Sequence, residues 1–165
     1  MGRKIIVGVL GPGAGATEEA TAAAFALGKL IAGEGWVLLS GGRSAGVMEA
    51  ANRGARAGGG LTVGILPSSD SGGASEFVDI PIVTGMGQAR NNINVLSSQL
   101  LFACGMGAGT ASEIALAFKA HKRVILLCMD RESEEFFKSL GEGDAFVSDD
   151  PGAAVELARK LLAEQ

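Results

Sequence analysis

The 165-residue sequence has no tyrosine, one tryptophan, one histidine and two cysteines, and charged residues make up 19% of it. It contains no stretch near the roughly 18 consecutive apolar residues that a membrane-spanning helix needs. The apolar run at the N-terminus meets glycines too early for a signal peptide. A net charge of −4 offers no broad basic surface for nucleic acid. We therefore expect a cytoplasmic protein whose partners include neither membrane nor nucleic acid.

The residues that usually hold metal ions are scarce and scattered. Cys104 and Cys128 end separate apolar runs and form no C-x-x-C pair, so we expect two buried thiols in a reducing compartment. His121 lies where a helix should end, and the negative helix terminus suits an imidazole there. No set of histidine, cysteine and carboxylate has ligand spacing, so we predict no metal held by the protein itself.

Short apolar runs alternate with longer helical patterns along the chain, and 47% of the residues are hydrophobic. The length fits a single domain spanning residues 1–165. Continuous apolar strands are typical of strands buried on both faces of a parallel sheet. The pattern predicts an α/β fold, a Rossmann-like open, doubly wound and mainly parallel sheet with helices on both faces. Ligands of such folds bind outside the carboxyl ends of the strands, at the switch point.

Helix starts carry local signals. Thr17 should cap a helix that ends near Gly33, with glutamates in its first turn. Asp150 should cap the last helix, with Pro151 at its first position. We expect Trp36 to pack in the core at the start of a strand. A further helix is predicted from Thr110 to His121.

A first glycine cluster, "GPGAGA", follows the first strand. It formally fits the dinucleotide fingerprint. Pro12, however, removes an N–H where pyrophosphate would approach, and the second strand ends in Ser40 rather than in the acid that holds a ribose. A close-packed turn beneath another ligand is the simpler interpretation, and it places Gly11 and Gly13 at the site.

A second cluster, "GGRSAG", follows the second strand. Gly41 and Gly42 can expose consecutive N–H groups as an anion-binding nest, with Arg43 and Ser44 beside it. The same residues also suit a plain strand-to-helix turn with a solvated arginine.

The third cluster, "GMGAGT", follows the fifth strand and leads into a helix. Thr110 and Glu113 fit a capping box, which would explain both without a ligand. A cap needs at most one glycine, so Gly105, Gly107 and Gly109 favour a phosphate nest instead.

Two further segments belong to the same end of the sheet. Arg90 and Asn91 follow a strand end and open a helical stretch, so they should point into the same crevice. Residues 68–77 are rich in serine and glycine, which is typical of a simple loop or of a mobile flap.

The segments "GGRSAGVMEAANRGARAGGGLTVGILP" and "GMGQARNNINVLSSQLLFACGMGAGTASEIALAFKAHKRVILL" resemble the superfamily of LONELY GUY phosphoribohydrolases and molybdenum cofactor carrier proteins. Some members were once described as lysine decarboxylase-like. The resemblance runs from about Lys4 to Leu127. It implies a Rossmann-like fold, a homodimer or higher homo-oligomer, and a phosphate held by the last glycine turn. In the hydrolases an arginine and a glutamate cleave the N-glycosidic bond of a nucleoside 5′-monophosphate. By position these are Arg90 and Glu113.

Two departures favour the carrier branch. The hydrolase motif begins Pro-Gly-Gly where this chain has Cys-Gly-Met-Gly from Cys104, and Asn91 stands where lysine is common. The resemblance therefore implies a binding protein for molybdenum cofactor, a phosphorylated pterin, with the phosphate on Gly107, Gly109 and Thr110. The alternatives are a phosphoribohydrolase that uses Arg90 and Glu113, and a nucleotide sensor without turnover.

Overall fold

The computed structural model describes residues 2–164, which form seven strands, six α-helices and a 3-10 turn. The strands are β1 Ile6–Leu10, β2 Val37–Ser40, β3 Thr62–Leu66, β4 Ile80–Val83, β5 Leu100–Cys104, β6 Val124–Leu127 and β7 Ala145–Val147. The helices are α1 Glu18–Gly33, α2 Gly46–Ala57, α3 Asn91–Ser97, α4 Ala108–Lys119, α5 Arg131–Gly141 and α6 Pro151–Ala163, with the 3-10 turn Gly87–Arg90 before α3. Met1 and Gln165, the ends of the predicted domain, lie outside the described residues.

The strands of this sheet are all parallel and lie in the order β4-β3-β2-β1-β5-β6-β7. The chain builds outward from β1 to β4, then returns to the centre and builds outward from β5 to β7. The switch point therefore lies between β1 and β5. This topology confirms the predicted Rossmann-like α/β fold.

Apolar side chains of alternate strand residues fill two clusters, one on each face of the sheet. Phe102 and Leu27 belong to the cluster beneath α1, α2 and α6. Leu101 and Ile114 belong to the cluster beneath α3, α4 and α5. Both faces of the central strands are thus covered, which explains why their sequences are continuously apolar.

Helices α1 and α2 approach each other through glycines. A side chain at Gly28 would overlap the backbone oxygen of Ala51, and one at Gly54 would overlap the backbone oxygen of Phe25. This close packing fixes how α1 and α2 lie against each other.

Most local predictions are confirmed. Thr17 Oγ1 accepts a hydrogen bond from the N–H of Ala20 at 3.1 Å. Asp150 Oδ1 accepts one from the N–H of Ala153 at 2.9 Å, with Pro151 first in α6. Trp36 is buried beside β2.

The cysteines are free thiols. Cys104 is buried as expected, but Cys128 is only half-buried, so the expectation of two buried thiols is wrong for Cys128. Burial raises the pKa of both thiols. None of the helices formed by residues 2–164 is long and apolar enough to cross a membrane. In the same range, no group of three or more histidines, cysteines and carboxylates could hold a metal ion.

Candidate functional site

A crevice of about 260 Å³ opens at the carboxyl ends of β1 and β5, at the switch point of the sheet. All three predicted glycine turns contribute to its wall. The predicted residues that line it are Gly11, Gly13, Gly41, Arg43, Arg90, Asn91, Gly107, Gly109, Thr110 and Glu113. Continuous apolar strands deliver these turns to one edge because the strands are parallel.

Helix α4 begins at Ala108, two residues earlier than predicted. Its N-cap is Gly107 in an extended conformation (φ −169°, ψ 163°), with no side-chain cap among the described residues. The predicted capping box of Thr110 and Glu113 is therefore wrong, because Thr110 is the third helical residue and Glu113 lies one turn further on. The N–H groups of the first turn have no acceptor within the helix. They and the positive end of the helix dipole are the features that bind anions.

Thr110 lies in the crevice wall and is 2% exposed. Its Oγ1 has no hydrogen-bond partner among residues 2–164. A buried hydroxyl without a partner costs stability. The Thr110 hydroxyl does not serve as the cap that the sequence suggested, and it is available to donate to a ligand oxygen.

Arg90, 7% exposed, brings a buried guanidinium to the same crevice. Its Nη1 donates to Asn91 Oδ1, whereas its Nε has no partner in the described part of the chain. Burial lowers the pKa of Arg90, the Glu113 carboxylate opposes that effect, and Arg43 adds to it. The missing side chain of Gly41 makes room, since a Cβ there would lie 2.9 Å from Arg90 Nη2.

Glu113, also 7% exposed, is the buried carboxylate of the crevice. Its Oε1 accepts a hydrogen bond from Asn94 Nδ2 at 2.9 Å. Burial raises the pKa of Glu113, while the hydrogen bond from Asn94 and the charge of Arg90 counteract it. In the part of the chain that the structure describes, Arg90 and Glu113 form no ion pair, since no nitrogen of Arg90 lies within 4.0 Å of an oxygen of Glu113. The two charges face one crevice without pairing.

Three predicted residues lie outside the crevice wall, and their N–H groups serve the fold. The Gly42 N–H donates to Ser40 Oγ at 3.1 Å. The Ser44 N–H donates to the Gly73 oxygen at 3.2 Å, and the Gly105 N–H donates to the Leu127 oxygen at 2.8 Å. Gly42 and Gly105 both have a left-handed backbone, with φ of +74°, which glycine adopts most readily.

Seven wall residues were not predicted, namely Val9, Leu10, Pro12, Ala14, Met48, Gln88 and Ala108. Asn94 is the most informative residue that sequence reasoning missed, because it holds Glu113 from a different helix. Its spacing of three residues from Asn91, which places both on one helix face, is the signal that could have found it.

The serine- and glycine-rich loop packs against the second glycine turn. The Ser75 N–H donates to the Gly42 oxygen at 2.8 Å, and Arg43 pairs with Ala74 in an antiparallel bridge. A neighbouring cavity of about 400 Å³ lies beneath residues 66–73 and shares Arg43 with the crevice.

Taken together, the crevice offers anion-binding N–H groups at the start of α4 and two buried, unpaired charges beside them. Such a site suits a small ligand that carries a phosphate at one end and hydrogen-bonding groups near Arg90 and Glu113.

Comparison with known proteins gives concordant matches. The model of the SLOG cluster4 family matches residues 4–155. The structure of the molybdenum cofactor binding protein from the phototrophic bacterium Rippkaea orientalis is similar, with 52% identity, a TM-score of 0.94 and coverage of 97% of this chain and 98% of that chain. The molybdenum cofactor carrier protein of Chlamydomonas reinhardtii has 53% identity, a TM-score of 0.93 and coverage of 98% and 99%. An uncharacterised protein of Archaeoglobus fulgidus is 49% identical over 121 residues, 73% of this chain and 78% of its own.

Proposed function

The chain belongs to the SLOG cluster4 family, and on that premise we propose that it binds and protects molybdenum cofactor, a phosphorylated pterin, as a carrier or storage protein. Two similar structures named for binding or carrying this cofactor share more than half of their residues with this chain over nearly its whole length. Those proteins are named for binding, and the proposal here requires no turnover.

The start of α4 is the observation that carries this proposal. Gly107, Gly109 and Thr110 line the crevice where the first-turn N–H groups lack helical acceptors. A phosphate there would accept from those N–H groups and from the Thr110 hydroxyl, which has no partner within the described residues. Arg43 at the rim adds a positive charge. Gly11, Gly13, Gly41, Arg90 and Asn91 complete the proposed binding wall.

The polar atoms of the wall fit a pterin cargo. Arg90 Nε lacks an acceptor within residues 2–164, and Glu113 uses one oxygen for Asn94. A pterin offers both acceptors and donors along its ring edge. In this proposal molybdenum arrives with the cargo, bound through the sulfur atoms of the cofactor, and the protein holds the phosphate and the ring.

The test is to purify the protein from a host that synthesises the cofactor and to measure the released, oxidised pterin by its fluorescence. We expect pterin to co-purify with the wild type and to fall strongly in Thr110→Val, which keeps the side-chain shape. Ser44→Ala is a matched control, since Ser44 lies outside the crevice wall. Folded protein that carries no pterin after such expression would refute the proposal.

Phosphoribohydrolase activity is a second candidate, because Arg90 and Glu113 line the same crevice. Burial raises the pKa of the Glu113 carboxyl, as is common for groups that act in acid–base catalysis. Incubation with AMP, with Glu113→Ala in parallel, separates the two functions. Release of adenine and ribose 5-phosphate that the variant loses would establish an enzyme. Tight AMP binding without turnover, in preference to pterin, would indicate a nucleotide sensor.

We propose further that the protein is a cytoplasmic homo-oligomer that does not bind nucleic acid. Apolar side chains of the edge strand β4 support the oligomer, since Ile80, Ile82 and Val83 are each more than 40% exposed. The net charge of −4 argues against nucleic acid. Light scattering on the purified protein would measure the oligomeric state, and a monomer at micromolar concentration would overturn that part.

A further inference from the structure

Each buried charge of the crevice is hydrogen-bonded to an asparagine of one helix. Asn91 Oδ1 accepts from Arg90 Nη1, and Asn94 Nδ2 donates to Glu113 Oε1 at 2.9 Å. Asn91 and Asn94 lie three residues apart in α3, so their side chains lie on the same face of the helix. Asn91 is 5% exposed and Asn94 is fully buried. Each charge therefore has a neutral partner rather than the opposite charge.

An unpaired arrangement of this kind is costly, because Arg90 and Glu113 are desolvated without the gain of a direct ion pair. Donors and acceptors also remain unused, since neither Arg90 Nε nor Asn94 Oδ1 has a partner in residues 2–164. Both asparagines also have contacts within the fold, since Asn91 Nδ2 donates to Ser112 Oγ at 3.5 Å and the Asn94 backbone oxygen accepts from Ser98 Oγ at 2.8 Å. A ligand that enters the crevice would supply an acceptor for Arg90, which lies in the crevice wall.

We propose that Asn91 and Asn94 are positioning residues that hold Arg90 and Glu113 apart as a slot for an uncharged group of the ligand. That group accepts a hydrogen bond from the guanidinium and donates to the carboxylate. The inference rests on the proposed binding function and names the chemistry that the same site selects.

Two kinds of ligand group combine a hydrogen-bond acceptor with neighbouring donors in this way. The amino-oxo ring edge shared by pterins and guanine presents an acceptor next to two donors in a fixed plane. The hydroxyl pair of a ribose next to its phosphate presents the same functions with freely rotating groups. The adenine ring edge also pairs an amino donor with a ring-nitrogen acceptor, but it has one donor group where the carboxylate can accept more than one hydrogen bond. It therefore fills the slot less completely than the pterin edge.

Calorimetric titration with four probes distinguishes these sources. The probes are inorganic phosphate, ribose 5-phosphate, AMP and the monophosphate of 6-hydroxymethylpterin. We expect the pterin phosphate to bind the wild type at least about tenfold more tightly than inorganic phosphate and than AMP, as a hydrogen bond to a charged group allows. If ribose 5-phosphate binds as tightly as the pterin phosphate, the group in the slot is the sugar, and AMP, which carries the same sugar and phosphate, should then bind as tightly too.

The variants Asn91→Leu and Asn94→Leu test the positioning role, with the exposed Asn92→Ala of the same helix as control. We expect each leucine variant to lose about tenfold in affinity for the ring or sugar ligand, with unchanged affinity for inorganic phosphate. The control should match the wild type for every probe. Unchanged affinity for all probes in the folded leucine variants would overturn the inference.

Glu113→Gln supplies a variant that keeps the side-chain shape if a leucine variant does not fold. It should lose the preference for the ring or sugar ligand while phosphate still binds. If the proposed binding function itself is wrong, neither inorganic phosphate nor any of the phosphorylated probes will bind the wild type. That result is distinct from the loss of preference expected of the variants.

Discussion

The Glu113→Gln substitution removes the charge of a buried carboxylate while keeping the size and shape of the side chain. Glu113 is 7% exposed and accepts one hydrogen bond from Asn94. The amide oxygen of glutamine can accept the same bond. Arg90 attracts the charge from a distance, yet burial is the largest influence on the carboxyl group and raises its pKa above the ordinary value of 4.5.

Because burial raises the pKa of Glu113, the ionised carboxylate makes the folded state less stable. A carboxyl group whose pKa is higher in the folded state contributes stability below about pH 4.5, and this contribution is lost as the pH rises through the folded pKa. At neutral pH the wild type therefore bears a cost that the glutamine variant avoids. We expect the variant to be more stable there by about 1 kcal/mol, which corresponds to an unfolding midpoint about 2–4 °C higher for a domain of this size.

The assay is thermal or urea unfolding of both proteins at several values between about pH 4 and pH 8. The stability difference should be small at the acidic end and should grow with pH. Glu76→Gln, at an exposed loop carboxylate, should show no comparable growth. A variant that is less stable than the wild type at about pH 8, or a difference that does not depend on pH, would refute the reasoning.

Three further substitutions test the site and the fold. Thr110→Val should raise the free energy of unfolding by about 1 kcal/mol, because it removes a buried hydroxyl that has no partner among the described residues. It should also weaken phosphate binding in a calorimetric titration. A loss of stability like that of a removed cap would contradict the start of α4. Gly41→Ala should fold but bind ligand weakly, since its Cβ would displace Arg90 from 2.9 Å, and wild-type affinity would contradict this. Gly28→Ala should cost about 3 kcal/mol or more in urea unfolding, because its side chain would overlap the Ala51 backbone; a neutral effect would contradict the packing of α1 on α2.

The outline of the site was predictable because its residues follow strand ends. A parallel sheet brings the carboxyl ends of its strands to one edge whatever their order. Gly11, Gly41 and Gly107 therefore reach one crevice although they lie far apart in sequence. The sequence could not show which backbone N–H groups of the glycine clusters face the crevice. Gly42 and Gly105 belong to these clusters, yet their N–H groups donate to Ser40 and Leu127.

The start of α4 shows where local patterns fail. Thr110 and Glu113 fit a capping box as well as any pair in the chain, yet the helix begins at Ala108 with Gly107 as its cap. A glycine-rich turn allows the helix to begin at more than one residue, and tertiary packing determines at which residue it begins. One such packing contact is made by Pro12, in the turn after β1, which lies against Gly105 and Gly107.

The sequence by itself determined the class of fold and the first residues of two helices, because these features depend on residues that are near neighbours in the chain. Continuous apolar runs imply strands covered on both faces, and Thr17 and Asp150 cap helices through residues three positions away. Only the tertiary structure decided that Arg90 and Glu113 face one crevice unpaired. That arrangement depends on Asn94 meeting a residue 19 positions along the chain and on desolvation, which is a property of the packed protein and of no local segment.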